Sequence, residues 1–234
     1  MCSTSICIAS GTHTYADESG VVMPLSFGER WWLCLFALGV WVILLVRFFI
    51  GAQLAAADGQ CYVVGVLESL GYFTVLTCLL IGLVLTAASG LLTARLLHPL
   101  WVSTAVTSVI LVALVYALVL RQLWHPQGLR YWVDIGLHYV IPPLFVLAWW
   151  RLVPPGAIGW RSPLAWLWFP LLYLVVILGR GQLSGFYPYP FLQMEELGAI
   201  RVLRNSLVLV GLYLLIGYCL VAINHCRSGH KLER

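Results

Sequence analysis

The chain reads as an all-α polytopic membrane protein, a bundle of six transmembrane helices. Two observations predict this. The 234 residues are 62% hydrophobic and 9% charged, whereas an ordinary soluble domain is about 25% charged and has too little interior to hide so much apolar surface. The apolar residues also fall into six runs that approach or reach the roughly 20 residues needed to span a bilayer. This composition excludes a soluble globular domain, a disordered chain and a collagen-like one.

The elements follow in order. Residues 1–30 form a polar N-terminal segment with no basic region and no long apolar core, so they do not read as a cleavable signal peptide. The first span runs from Trp31 to about Ile50, with Arg47 placed near its end to snorkel. The second runs from about Ser69 to Leu92, bounded by Glu68 and Arg95. The third runs from Pro99 to Leu120, between His98 and Arg121. The fourth runs from about Tyr131 to Trp150 and stops at Arg151 and Pro154-Pro155. The fifth runs from about Pro163 to Leu178 and stops at Gly179 and Arg180. The sixth runs from about Val202 to Ile223 and closes the domain that spans residues 31–224. Residues 225–234 form a short basic tail carrying Arg227, Lys231 and Arg234. Trp31-Trp32, Trp101, Tyr131-Trp132, Trp149-Trp150 and Trp166 cluster at span ends, as an interfacial aromatic belt requires.

Six spans place both termini on one side. That side carries seven Lys and Arg residues against six on the other, a margin that tilts toward cytoplasmic termini. Twelve arginines against one lysine and the lack of a eukaryotic targeting signal point to a bacterial inner membrane. The formal net charge of +4 is spread thinly, so no nucleic-acid footprint exists. The seven cysteines show no CxxC spacing; Cys34, Cys78 and Cys219 sit in apolar runs as small hydrophobes, and a bridge among Cys2, Cys7 and Cys61 stays open. Neither a metal site nor a cofactor is implied. HExxH, GxSxG, P-loop and GxGxxG signatures are missing, and no internal repeat supports an inverted-repeat transporter.

Ionisable and polar side chains inside spans are costly, which shortens the search for function. His138 lies in DIGLHYVIPPLF of the fourth span, with Asp134 four residues earlier on the same helix face. Pro142 and Pro143 remove the amides that would serve the carbonyls of His138 and Tyr139, so a kink is expected there. The pair reads either as a base oriented by its carboxylate or as interhelical glue. Thr74 and Thr77 lie in GYFTVLTCLL of the second span; each reads as bonding back to the carbonyl four residues earlier, or as a functional hydroxyl. The second and fourth spans run in the same direction, and Thr74 and His138 differ in depth by only about 3 Å at 1.5 Å per residue. The segment RGQLSGFYPYPF, residues 180–191, cannot form a regular helix and lies on the same side. Its Tyr187, Tyr189 and Phe191 are placed to line a cavity mouth or to anchor an interfacial loop.

GYFTVLT, WHPQG, DIGLHYVIP and FPLLYLVVILGRGQLSGFYPYPF follow one another in order, in a likeness that extends over most of residues 31–224. With six spans, this set resembles the membrane family of the androgen-induced protein and the androgen-dependent TFPI-regulating protein, most closely its bacterial branch. Animal members of that family are threonine hydrolases of fatty-acid esters of hydroxy fatty acids. The resemblance implies Thr74 as nucleophile and His138 as its histidine. Where bacterial members often carry asparagine, this chain has Cys78. The expected function is then hydrolysis of a lipid ester: Thr74 attacks, His138 moves the proton and Asp134 orients the imidazole. Thr77, Tyr139, Tyr187, Tyr189 and Phe191 are candidates for substrate contact. The expected partners are membrane lipids or a lipid-like ester. The alternative from another class is a non-enzymatic membrane protein (a small transporter, lipid-binding module or partner subunit) with His138 and Asp134 as a proton or ligand site.

Overall fold

A computed structural model describes residues 25–123 and 125–229. Expectations on residues 1–24, including Cys2 and Cys7, and on Lys231 and Arg234 lie outside the described residues. Those described are mostly helical and contain no strand. Five helices are long and apolar enough to cross a membrane, and a sixth span is present if a sharply bent helix pair counts as one. The protein is therefore an all-α multi-pass membrane protein.

The first helix, α1 (Phe27–Ala57), starts earlier and ends later than the apolar run alone suggests. Ser26 caps it: the Glu29 amide donates to Ser26 Oγ at 3.3 Å, and the Ser26 amide donates to Glu29 Oε2 at 2.7 Å. Its Leu33, Val40 and Leu44 face the bundle while Leu35, Leu38 and Leu45 are exposed, as lipid-facing residues must be.

The second span departs from expectation. It is not one straight helix but α2 (Tyr62–Leu70) and α3 (Phe73–Ala88), bent by 82° at Gly71-Tyr72. A break at this depth exposes backbone carbonyls that lipid cannot serve. Side chains from the fifth span serve them: the Tyr173 hydroxyl donates to the Gly71 carbonyl at 3.0 Å, and Arg180 Nη1 donates to the Leu67 carbonyl at 3.0 Å. Where α1 passes α2, two glycines meet. A Cβ on Gly65 would stand 2.0 Å from the Gly51 carbonyl oxygen, and one on Gly51 would stand 2.6 Å from that of Gly65.

The third span is α4 (Pro99–Leu118), with Pro99 at its start and the His98 ring accepting from the Leu100 amide at 3.2 Å. It is the central helix. Ser103, Thr104, Thr107 and Ser108 are all fully buried on it. Thr104, Thr107 and Ser108 bond back to carbonyls four residues earlier at 2.7 Å, and Ser103 accepts from Trp149 Nε1 at 3.2 Å.

The fourth span joins α5 (Leu129–Ile135) to α6 (Ile141–Leu152) through one π-helical turn, residues 136–140. The expected kink is thus a widening: the Ile141 amide bonds the Gly136 carbonyl, five residues back, ahead of Pro142 and Pro143. Arg151 at the end of this span pairs with Glu29, with Nη2 to Oε2 at 3.1 Å.

The fifth span comprises α7 (Ser162–Trp166) and α8 (Trp168–Ser184). It passes through Gly179 and Arg180 instead of stopping at them. The Arg180 charge is compensated by the Leu67 carbonyl and by the Phe186 ring 4.9 Å away, so it does not terminate the helix. Gly185, at φ +71°, ends it. Half of the segment read as irregular is therefore helical. After a connection containing α9 (Met194–Leu197), α10 (Ala199–Gly229) forms the last span. Asn224 Nδ2 donates to the Pro154 carbonyl at 2.9 Å, and Arg227 donates to the carbonyls of Val153 and Trp150 at the end of α6. Cys34, Cys61, Cys78, Cys219 and Cys226 are free thiols.

Candidate active site

The bend before α3 decides where Thr74 sits. Instead of lying within one straight span, Thr74 occupies the first turn of a helix, one residue beyond Phe73. Its N-cap residue, Tyr72, makes no side-chain capping bond, and the first amides of any helix lack intrahelical acceptors. Thr74 is 7% exposed, and the carbonyl four residues earlier belongs to Leu70, on the far side of the break. The Tyr189 phenol rests against the Thr74 hydroxyl and amide. Burial pushes that phenol up to about 12, so it is a neutral donor at physiological pH.

The Asp134–His138 pair forms as the four-residue spacing requires. His138 Nδ1 lies 3.2 Å from Asp134 Oδ1 and 3.1 Å from the Asp134 carbonyl oxygen, with both side chains 11% exposed. Both neighbours are acceptors. Nδ1–H then donates to them, and in the neutral form of this ring Nε2 holds the lone pair. Asp134 Oδ2 accepts from the Tyr116 hydroxyl on α4. The Tyr116 ring also stacks on the His138 imidazole at 3.9 Å and 11°, fixing its plane. Tyr116 carries no signal of its own in the sequence, since an aromatic near a span end also suits an interfacial belt.

One cavity of about 380 Å³ brings these groups together. Thr74, Asp134, His138, Tyr116 and Tyr189 all line it, together with Arg47, Tyr72 and Arg130. A volume of this size is within the range of small-ligand sites. A second, apolar pocket adjoins it, and Thr74 and Tyr189 belong to the walls of both. Phe191 lines that apolar pocket and stacks on Tyr189 at 5.1 Å.

The other candidates sit elsewhere. Thr77 is fully buried and its hydroxyl makes no hydrogen bond, so the expected back-bond is not formed; it lines neither pocket. Tyr139 is 44% exposed and meets Tyr116 edge-on, outside the cavity. Tyr187 covers Gly181 on α8, where a Cβ would be 2.1 Å from its ring, and does not line either pocket. Arg47 does not snorkel to the span end: its Nη1 donates to Ser69 Oγ at 3.1 Å, and its guanidinium lies 5.1 Å over the Tyr72 ring. Among the described residues, no group of three His, Cys, Asp or Glu side chains is placed to hold a metal. Comparison of the chain with family models, with curated proteins and with solved structures returns no match.

Proposed function

We propose that the protein is an integral-membrane hydrolase of lipid esters, of the kind represented by fatty-acid esters of hydroxy fatty acids. The observation that carries this reading is the shared cavity, whose wall holds a helix-start threonine and a histidine with its Nδ1 side occupied by a carboxylate. The resemblance noted from the sequence selects the same two residues. His138 Nε2 takes the Thr74 hydroxyl proton as Oγ attacks the ester carbonyl. Collapse of the tetrahedral intermediate expels the alkoxide, which receives that proton, and water activated by the same imidazole releases the acid. Asp134 stabilises the transient imidazolium, and Tyr116 holds Asp134 and the ring plane. The first-turn amides of α3 and the Tyr189 phenol are the donors nearest the developing oxyanion. Under this proposal the chain resides in a bacterial inner membrane with cytoplasmic termini, on its arginine bias and basic tail.

The test is hydrolysis of a long-chain branched fatty-acid ester by detergent-purified protein. T74A and H138A should fall to background, and T74S should retain part of the rate. A fluorophosphonate should label the wild type and not T74A. Hydrolysis undiminished in either alanine variant sinks the assignment.

A further inference from the structure

Arg47 and Arg130 give the cavity a charge that hydrolysis at Thr74 does not require. Both guanidinium groups line the same space, and they are close enough for their charges to act on one another. Arg47 is half-buried within a membrane-spanning helix, where an uncompensated cation is expensive. Its neighbours are the Ser69 hydroxyl and the Tyr72 face, and it forms no ion pair among the described residues. Asp134, the carboxylate lining the cavity, is already engaged by Tyr116 and His138. The cavity therefore carries two guanidinium groups against one occupied carboxylate. Neither arginine lies in the sequence motifs that resemble the hydrolase family.

The neighbouring chamber has the opposite character. Leu111, Val112, Leu174, Leu209 and Phe191 are among its walls. Thr74 and Tyr189 stand on the boundary between the charged and the apolar space.

We infer that Arg47 and Arg130 form a subsite for the acid group, carboxylate or phosphate, of an anionic amphiphile whose tail passes Thr74 into the apolar chamber. This deepens the hydrolase reading and, for the position of the ester, rests on it. A guanidinium recognises such an oxyanion through paired hydrogen bonds that an uncharged headgroup cannot supply.

The experiment measures binding rather than turnover, so the two ideas fail separately. Purified full-length protein in neutral detergent is loaded with tritiated oleate, and unlabelled oleate, oleyl phosphate and oleyl alcohol compete for it. At least one acid should bind about tenfold or more tightly than the alcohol, as expected for a hydrogen bond to a charged group; which acid leads identifies the headgroup. R47Q and R130Q should each reduce that preference, R47K should keep part of it, and T74A should keep all of it. If R47Q does not fold, R130Q and R47K still decide the matter. Equal binding of acids and alcohol, no saturable oleate binding, or a preference that survives R130Q and every folded Arg47 variant overturns the subsite. A preserved preference with no esterase activity leaves the subsite standing and removes the hydrolase reading.

Discussion

Replacing Gly65 with alanine tests whether α1 and α2 meet backbone to backbone. The added Cβ would stand 2.0 Å from the Gly51 carbonyl oxygen and 2.4 Å from its carbon. Ordinary contact begins near 3.4 Å, so the helices must separate by about 1.4 Å, because backbone has no rotamer to turn aside. Overpacking of this kind costs about 1–3 kcal/mol, and a contact with no flexible side chain belongs at the upper end. With roughly 2–4 °C of melting temperature per kcal/mol for a chain of this size, G65A should melt about 6–12 °C lower. The control lies on the partner helix α1: a Cβ on Gly39 meets nothing within 4 Å, so G39A should melt at or above the wild-type temperature. Intrinsic fluorescence during heating in one detergent compares the three proteins. G65A melting with the wild type, or G39A falling as far as G65A, would refute the close crossing. Because Ser69 bonds both the Gly65 carbonyl and Arg47, G65A should also weaken oleate binding.

Further predictions concern the site and its supports. Y116F removes the hydroxyl that Asp134 accepts while keeping most of the stacked ring; kcat for ester hydrolysis should fall about tenfold or more with little change in KM. N224A strips a fully buried side chain from the Pro154 carbonyl and should cost about 1–3 kcal/mol, read as a lower melting temperature with Thr74 and His138 untouched. Tyr189 predicts an alkaline limb in stability. Its phenol is raised from 10.0 to about 12, so its contribution is fully present below pH 10 and is lost as pH climbs through 12. The loss is at most about 2.7 kcal/mol for two units, and Y189F should lose less melting temperature than the wild type across that window. An identical alkaline decline in both proteins would show that this phenol is not shielded.

The sequence reached the architecture because lipid imposes one demand on every span, and apolar run length registers it directly. It reached Asp134 and His138 for a related reason: few ionisable groups are tolerated there, and a four-residue spacing puts two on one face. It missed the bend before Thr74. Gly71 is a weak breaker by itself, and the carbonyls freed by the break are served by Tyr173 and Arg180, more than a hundred positions away. The same contact explains why Arg180 failed as a helix stop. Tyr116 and Arg47 lie near span ends, where aromatic and cationic side chains equally suit an interfacial anchor. Which way such a residue turns depends on what the neighbouring helices offer it.

Under the hydrolase proposal, the shortness of α3 sets the depth of the chemistry. Its 16 residues extend about 24 Å at 1.5 Å per residue, some 6 Å less than a hydrocarbon layer of about 30 Å. If its far end meets the opposite interface, Thr74 falls about 6 Å inside the hydrocarbon layer, below the headgroups. An amphiphile then need not leave the hydrocarbon to react, and avoids a cost of about 0.8 kcal/mol for every methylene withdrawn into water. The concentration that governs such a site is the mole fraction of substrate in the leaflet, so rates should follow dilution of the ester by inert lipid and be indifferent to the volume of buffer.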